Sequence, residues 1–151
     1  MKIHTIALRL LALAVVAFAL LPAQAHDKKK RIAGPNGGRV IETLEPRAEF
    51  FVTADRKVQI TFLDKAGKPI APAEQVVTVT AGQRSAPQKL AFATSGNALV
   101  STAPLPPGDD IPAVVQIKPT PTGKTVTERI TVDLSVCGEC KLAEYACTCA
   151  H

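Results

Sequence analysis

Histidine is missing from residue 27 to residue 150, and tryptophan is missing altogether. The first absence removes the Ser-His and Cys-His pairings on which most nucleophilic catalysis depends. No nucleophile elbow or phosphate-cradling glycine loop stands in their place. Asp109-Asp110 is a carboxylate pair, but it sits in a Pro/Gly-rich stretch that reads as a solvated turn. The chain does not read as an enzyme. The lack of tryptophan, with one tyrosine in the whole chain, leaves no basic face interleaved with aromatic rings, which argues against nucleic acid as a partner. Cysteine is absent before Cys137, and all four cysteines fall between Cys137 and Cys149. Disulfides could therefore close only short loops at that end and could not tie one part of the preceding domain to another.

What is present begins with an export signal. Lys2 and Arg9 precede an apolar run from Leu10 to Leu21, Pro22 breaks it, and Ala23-Gln24-Ala25 supplies the small residues of a cleavage site. The run is shorter than the roughly 20 apolar residues needed to span a bilayer. The expectation is a signal peptide over 1–25, a mature chain starting at His26 with no transmembrane anchor, and a periplasmic location. Losing Lys2 and Arg9 takes the formal net charge from +5 to +3. Lys28-Lys29-Lys30-Arg31 follows at once, so residues 26–38 read as a basic, flexible arm.

From 39 to 134 the pattern is short strands. Val58, Ile60 and Phe62 alternate with Gln59 and Thr61, and Ile130, Val132 and Leu134 alternate with Thr131 and Asp133. A period of two puts one face in a core and the other in water. Further β-rich runs cover Glu49–Thr53, Gln75–Thr80, Lys89–Thr94, Ala98–Thr102 and Ala113–Lys118. Asp55-Arg56 and Ser95-Gly96-Asn97 mark hairpins, while Asp64 to Pro69 and Pro104 to Gly108 mark loops. Seven or eight strands at this spacing predict an all-β, antiparallel, Ig-like sandwich.

Residues 135–151 lose the strand pattern and form a separate Cys/His-rich tail, with Lys141–Ala146 favouring helix. Cys137-Gly138-Glu139-Cys140 is followed, six residues later, by Cys147-Thr148-Cys149-Ala150-His151. These five soft ligand side chains suit Zn(II), which takes four in a tetrahedron, or Cu(I), which prefers two or three thiolates. One condition attaches. On a continuous helix Cys140 and Cys147 would stand about 10 Å apart, too far to share an ion. A common site requires the helix to break and the tail to fold back.

The remaining histidines of the mature chain are its ends. His26 would offer an α-amine and an imidazole together, with the Asp27 oxygen close by, a set that chelates Cu(II). With the sandwich-like strand count, this resembles the periplasmic copper-resistance β-sandwich proteins whose mature chain starts with His. The resemblance implies a copper site at His26; those proteins complete it with an internal histidine, whose place here would fall to His151 or a second molecule. Gly34-Pro35-Asn36-Gly37-Gly38-Arg39-Val40 resembles a Gly-Pro-His-Gly-Gly-Arg stretch near the start of periplasmic adaptor subunits of heavy-metal efflux pumps. Asn36 stands where that family has histidine, and the adaptors' coiled-coil hairpin is absent. The resemblance implies a small accessory protein with an envelope protein of an efflux system as partner. Without it, Pro-Asn-Gly-Gly reads as a turn into the first strand.

Two functions lead, ahead of a thiol-disulfide redox role for Cys137 and Cys140, which would ordinarily come with a βαβ pattern that is absent here. One is an exported metal-binding protein with Cys137, Cys140, Cys147, Cys149, His151 and His26 as ligands for Zn(II) or Cu(I). The other is an Ig-like envelope interaction module whose tail is locked by disulfides.

Overall fold

The computed structural model describes residues 31–149; the expected signal peptide over 1–25, His26, Ala150 and His151 lie outside it. Among the described residues ten strands form in chain order: β1 (Arg39–Ile41), β2 (Arg47–Val52), β3 (Val58–Leu63), β4 (Pro69–Ile70), β5 (Val76–Ala81), β6 (Gln88–Leu90), β7 (Phe92–Ser95), β8 (Ala98–Ser101), β9 (Asp110–Lys118) and β10 (Val126–Asp133). They make two antiparallel sheets. One runs β1-β2-β3-β8-β7, with β4 also pairing β3, and the other runs β10-β9-β5-β6. This is the all-β antiparallel sandwich that the alternation predicts. Among the described residues no helix is long and apolar enough to cross a membrane.

The strand count exceeds the expected seven or eight for two reasons. Short β1 and β4 pair at the flanks, and the run Lys89–Thr94 is divided. Leu90 ends β6 in one sheet and Phe92 begins β7 in the other, with Ala91 alone between them. Leu90 is buried and Phe92 packs against the core from the opposite sheet. A run that changes sheet in this way serves both layers, and no local period separates it from a single strand.

Phe50, Val58, Ile60 and Phe62 of the first sheet meet Val79, Val115, Ile117, Ile130 and Val132 of the second in one apolar cluster. Each such side chain contributes about 1.5–3 kcal/mol when fully buried. The β2–β3 hairpin turns through Arg56 at φ 61°, a left-handed conformation unusual for a side-chain-bearing residue. Its guanidinium offsets that cost by donating to the Pro106 and Gly108 carbonyls at 2.9 and 3.0 Å, and its own carbonyl accepts from Leu105 N–H at 2.8 Å.

Both ends of the expected domain are extended by the structure. The arm predicted over 26–38 is folded from Ala33, which bridges to Arg39, and Gly34–Gly38 forms a tight turn against β2. Glu49 is the reason. Its side chain is fully buried on the sheet face opposite Phe50, and it accepts from Asn36 N–H (2.9 Å), Asn36 Nδ2 (2.7 Å) and Gly38 N–H (2.8 Å). Three donors satisfy a buried carboxylate that would otherwise be costly. The glycines make room: a Cβ on Gly34 would lie 2.3 Å from Glu49 Cδ, and one on Gly38 would lie 2.4 Å from the Phe50 carbonyl oxygen. The Gly-Pro-Asn-Gly-Gly segment is a carboxylate cradle, with Asn36 as two of its donors.

Candidate metal centre

The tail starts where β10 stops. Asp133 Oδ1 accepts from Ser135 N–H (2.8 Å) and Ser135 Oγ (2.7 Å), which turns the chain out of the sheet. Those bonds from the Ser135 hydroxyl and amide hold the Asp133 carboxyl below its ordinary pKa. Val136 then bridges Ala143 antiparallel, and Cys137 N–H donates to the Leu142 carbonyl at 2.8 Å. Between them Cys137-Gly138-Glu139-Cys140 makes a tight knuckle, closed by Lys141 N–H to the Cys137 carbonyl at 3.1 Å.

The helix expected over Lys141–Ala146 does not form. Lys141 adopts φ 62° and Ala143 is extended, leaving only a 3₁₀ turn at Glu144–Ala146. Intrinsic preference over six residues is worth little against a bridge on one side and docking into the core on the other. The break is what a shared site requires, because it folds the second cysteine pair back onto the first.

All four sulfurs converge. The Sγ atoms of Cys137, Cys140, Cys147 and Cys149 lie within 4.8 Å of one another. Cys137–Cys147 is 3.3 Å, Cys140–Cys147 is 3.7 Å and Cys137–Cys149 is 4.0 Å. A tetrahedral ion with bonds of about 2.3 Å to sulfur has its ligands about 3.8 Å apart. The observed separations straddle that value. Four closely spaced cysteines can hold a metal ion here.

The centre is graded in exposure and acidity. Cys137 and Cys147 are buried, and Cys140 and Cys149 are half-buried at its outer side. The backbone N–H groups of Leu142 and Thr148 point at Cys140 sulfur and bring its pKa down to about 6. Cys147 accepts from Cys149 N–H at 3.4 Å, which favours its thiolate, but burial and the neighbouring Cys137 and Cys140 sulfurs outweigh this and its pKa is raised. Burial, the Glu139 carboxylate and the other thiols push Cys149 far up. Without an ion, one thiolate is stabilised and the next ones are resisted. A divalent cation reverses that balance by favouring every thiolate at once.

Tyr145 is the residue that sequence patterns did not mark. It lies between the two cysteine pairs, 3% exposed, with its ring edge-on to Phe50 at a centroid distance of 5.8 Å. Its hydroxyl accepts from Val52 N–H at 2.9 Å. Burial raises its pKa, opposed by the Val52 bond and reinforced by the nearby Glu49 carboxylate. Ala146 and Cys147 are buried beside it. The predicted separate tail is thus seated on the core, and the only signal of this was an isolated aromatic residue between two ligand pairs.

His26 and His151, the remaining predicted ligands, lie outside the described residues. The turn holding Asn36 reaches the tail, since a Cβ on Gly37 would come within 3.2 Å of Leu142 Cδ2. No family model, curated protein or solved structure matches this chain.

Proposed function

We propose that this is an exported, non-enzymatic metal-binding protein that holds one Zn(II) through Cys137, Cys140, Cys147 and Cys149. The observation that carries the reading is the convergence of four sulfurs, drawn from two separate cysteine pairs, to within 4.8 Å of one another. Zinc is preferred over Cu(I) because four donors at one centre match its usual coordination number, whereas Cu(I) is satisfied by two or three. The signal-like pattern of residues 1–25 supports a periplasmic location, and the Gly34–Val40 resemblance supports a role as an accessory of heavy-metal homeostasis or efflux with an envelope protein as partner. The sandwich is the carrier and the tail is the working part.

Native mass spectrometry of the exported protein, with thiol trapping, tests this directly. The expected result is a mass raised by one zinc, which acid removes to leave four trappable thiols. Serine at all four cysteines should abolish uptake. A mass short by four hydrogens, with no thiol to trap, would mean two disulfides and would favour the interaction module instead. A mass raised by copper in place of zinc would move the centre to Cu(I). Removing the tail outright is the poorer test, because Tyr145 and Ala146 belong to the core.

A further inference from the structure

The cysteine cluster and the Tyr145 anchor share one stretch of backbone. Cys140 and Cys147 bracket the six residues 141–146, and within them Tyr145 and Ala146 enter the core. Outside the core, the stretch is held by Cys137 N–H to Leu142 O, Glu144 N–H to Ser135 O and the Val136–Ala143 bridge, and Leu142 approaches the Gly37 turn. A single 3₁₀ turn has no independent stability. An ion bound by Cys137 and Cys140 on one side and by Cys147 and Cys149 on the other would close a ring around Tyr145.

The place that Tyr145 fills is specific. Strand β1 pairs with β2 only as far as Arg39 opposite Phe50, so β2 runs on past its neighbour. Val52 lies beyond that point. The Tyr145 hydroxyl accepts the amide there, occupying the position of a missing strand partner. Val52 pairs with Val58 of β3, and on the far side of that pair Val58 N–H is taken by Ser101 Oγ at 3.0 Å.

We infer that metal occupancy latches this plug. With the ion bound, residues 135–149 cap the sandwich between β1, β2 and β10; when the ion leaves, the cap lifts and uncovers the Phe50 end of the core. The centre then reports its metal state as exposure of an apolar surface. This regulation rests on the metal-binding reading above.

Amide hydrogen exchange on the full mature chain tests it, with Zn(II) added or withdrawn by a chelator under reducing conditions and native mass spectrometry counting the ion in each sample. Chelation should speed exchange at Val52 and across 142–147 by at least about 100-fold, leave Ile60 of β3 and Val115 of β9 protected, and be reversed by Zn(II). Tyr145 is the only tyrosine of a chain without tryptophan, so its fluorescence should follow the same change. Loss of the ion with Val52 still protected would overturn the latch alone, as would equal loosening of Ile60 and Val115, which would mean that the ion supports the whole fold. A chain that takes up no Zn(II) would overturn the metal-binding reading and the latch together.

Discussion

Cys140 is the residue where the chemistry of the centre starts. Its two backbone donors lower its pKa to about 6 from an ordinary thiol value of 9.0. A depressed folded-state pKa stabilises the fold fully above the unfolded value, and that contribution is lost as pH falls through the folded one. The metal-free tail therefore gains stability as pH rises from about 6 towards 9. The raised pKa values of Cys147 and Cys149 act in the opposite sense, being neutral below the unfolded value and costing stability above it. While the tail is docked without an ion, iodoacetamide at pH 7 should label Cys140 first and Cys149 last, and once the cap lifts that order should fade. Peptide mapping by mass spectrometry reads this order, and Cys149 reacting first would contradict it. Zn(II) should suppress labelling at all four positions. The choice of these four cysteines was legible from their spacing, but the difference between them was not. It depends on which backbone N–H groups face each sulfur, and that follows from the knuckle at Gly138 and the left-handed Lys141.

At the level of elements, the strands and hairpin turns were readable, but the crossing of one run between sheets and the partners of the turns were not. Val58–Phe62 and Ile130–Val132 carry their period openly because one face of each packs inward throughout. Gln88–Ser95 carries no such period because it serves two sheets. The Gly34–Gly38 turn was recognisable as a turn, yet its reason lay 11 residues further on, in a glutamate whose burial no local pattern reveals. The cradle makes a sharp demand on its glycines. Gly38→Ala would drive a methyl group against the Phe50 carbonyl, backbone that cannot swing aside. It should cost about 2–3 kcal/mol, read as a lower urea midpoint with an unchanged slope. Gly67→Ala is the comparison, since nothing lies within 4 Å of a Cβ there and only its positive φ resists. Its smaller penalty of about 1 kcal/mol would separate close packing from backbone strain.

For the whole molecule, an ion that binds the folded chain alone adds stability by mass action. At a free Zn(II) concentration 1,000 times the dissociation constant the gain is about 4 kcal/mol. For a domain of this size that corresponds to a rise in Tm of roughly 10–20 °C. Calorimetry under reducing conditions, with and without chelator, should show it, and superimposed transitions would exclude a native-state ion. The rims of the sandwich bear on how the chain behaves in a crowded compartment. Ala91 joins the sheets covalently along one side, and on the other Arg39 of β1 is ion-paired to Glu128 of β10. Each sheet's outermost strand is thus tied to its counterpart in the other layer. Of these border strands, β6 and β7 are three and four residues long, while the eight-residue β10 presents Glu128 and Arg129. Short or charged borders are poor templates for a second chain to add a strand. The same closure that lets the tail lift without parting the layers also guards the exposed molecule against stacking into fibrils.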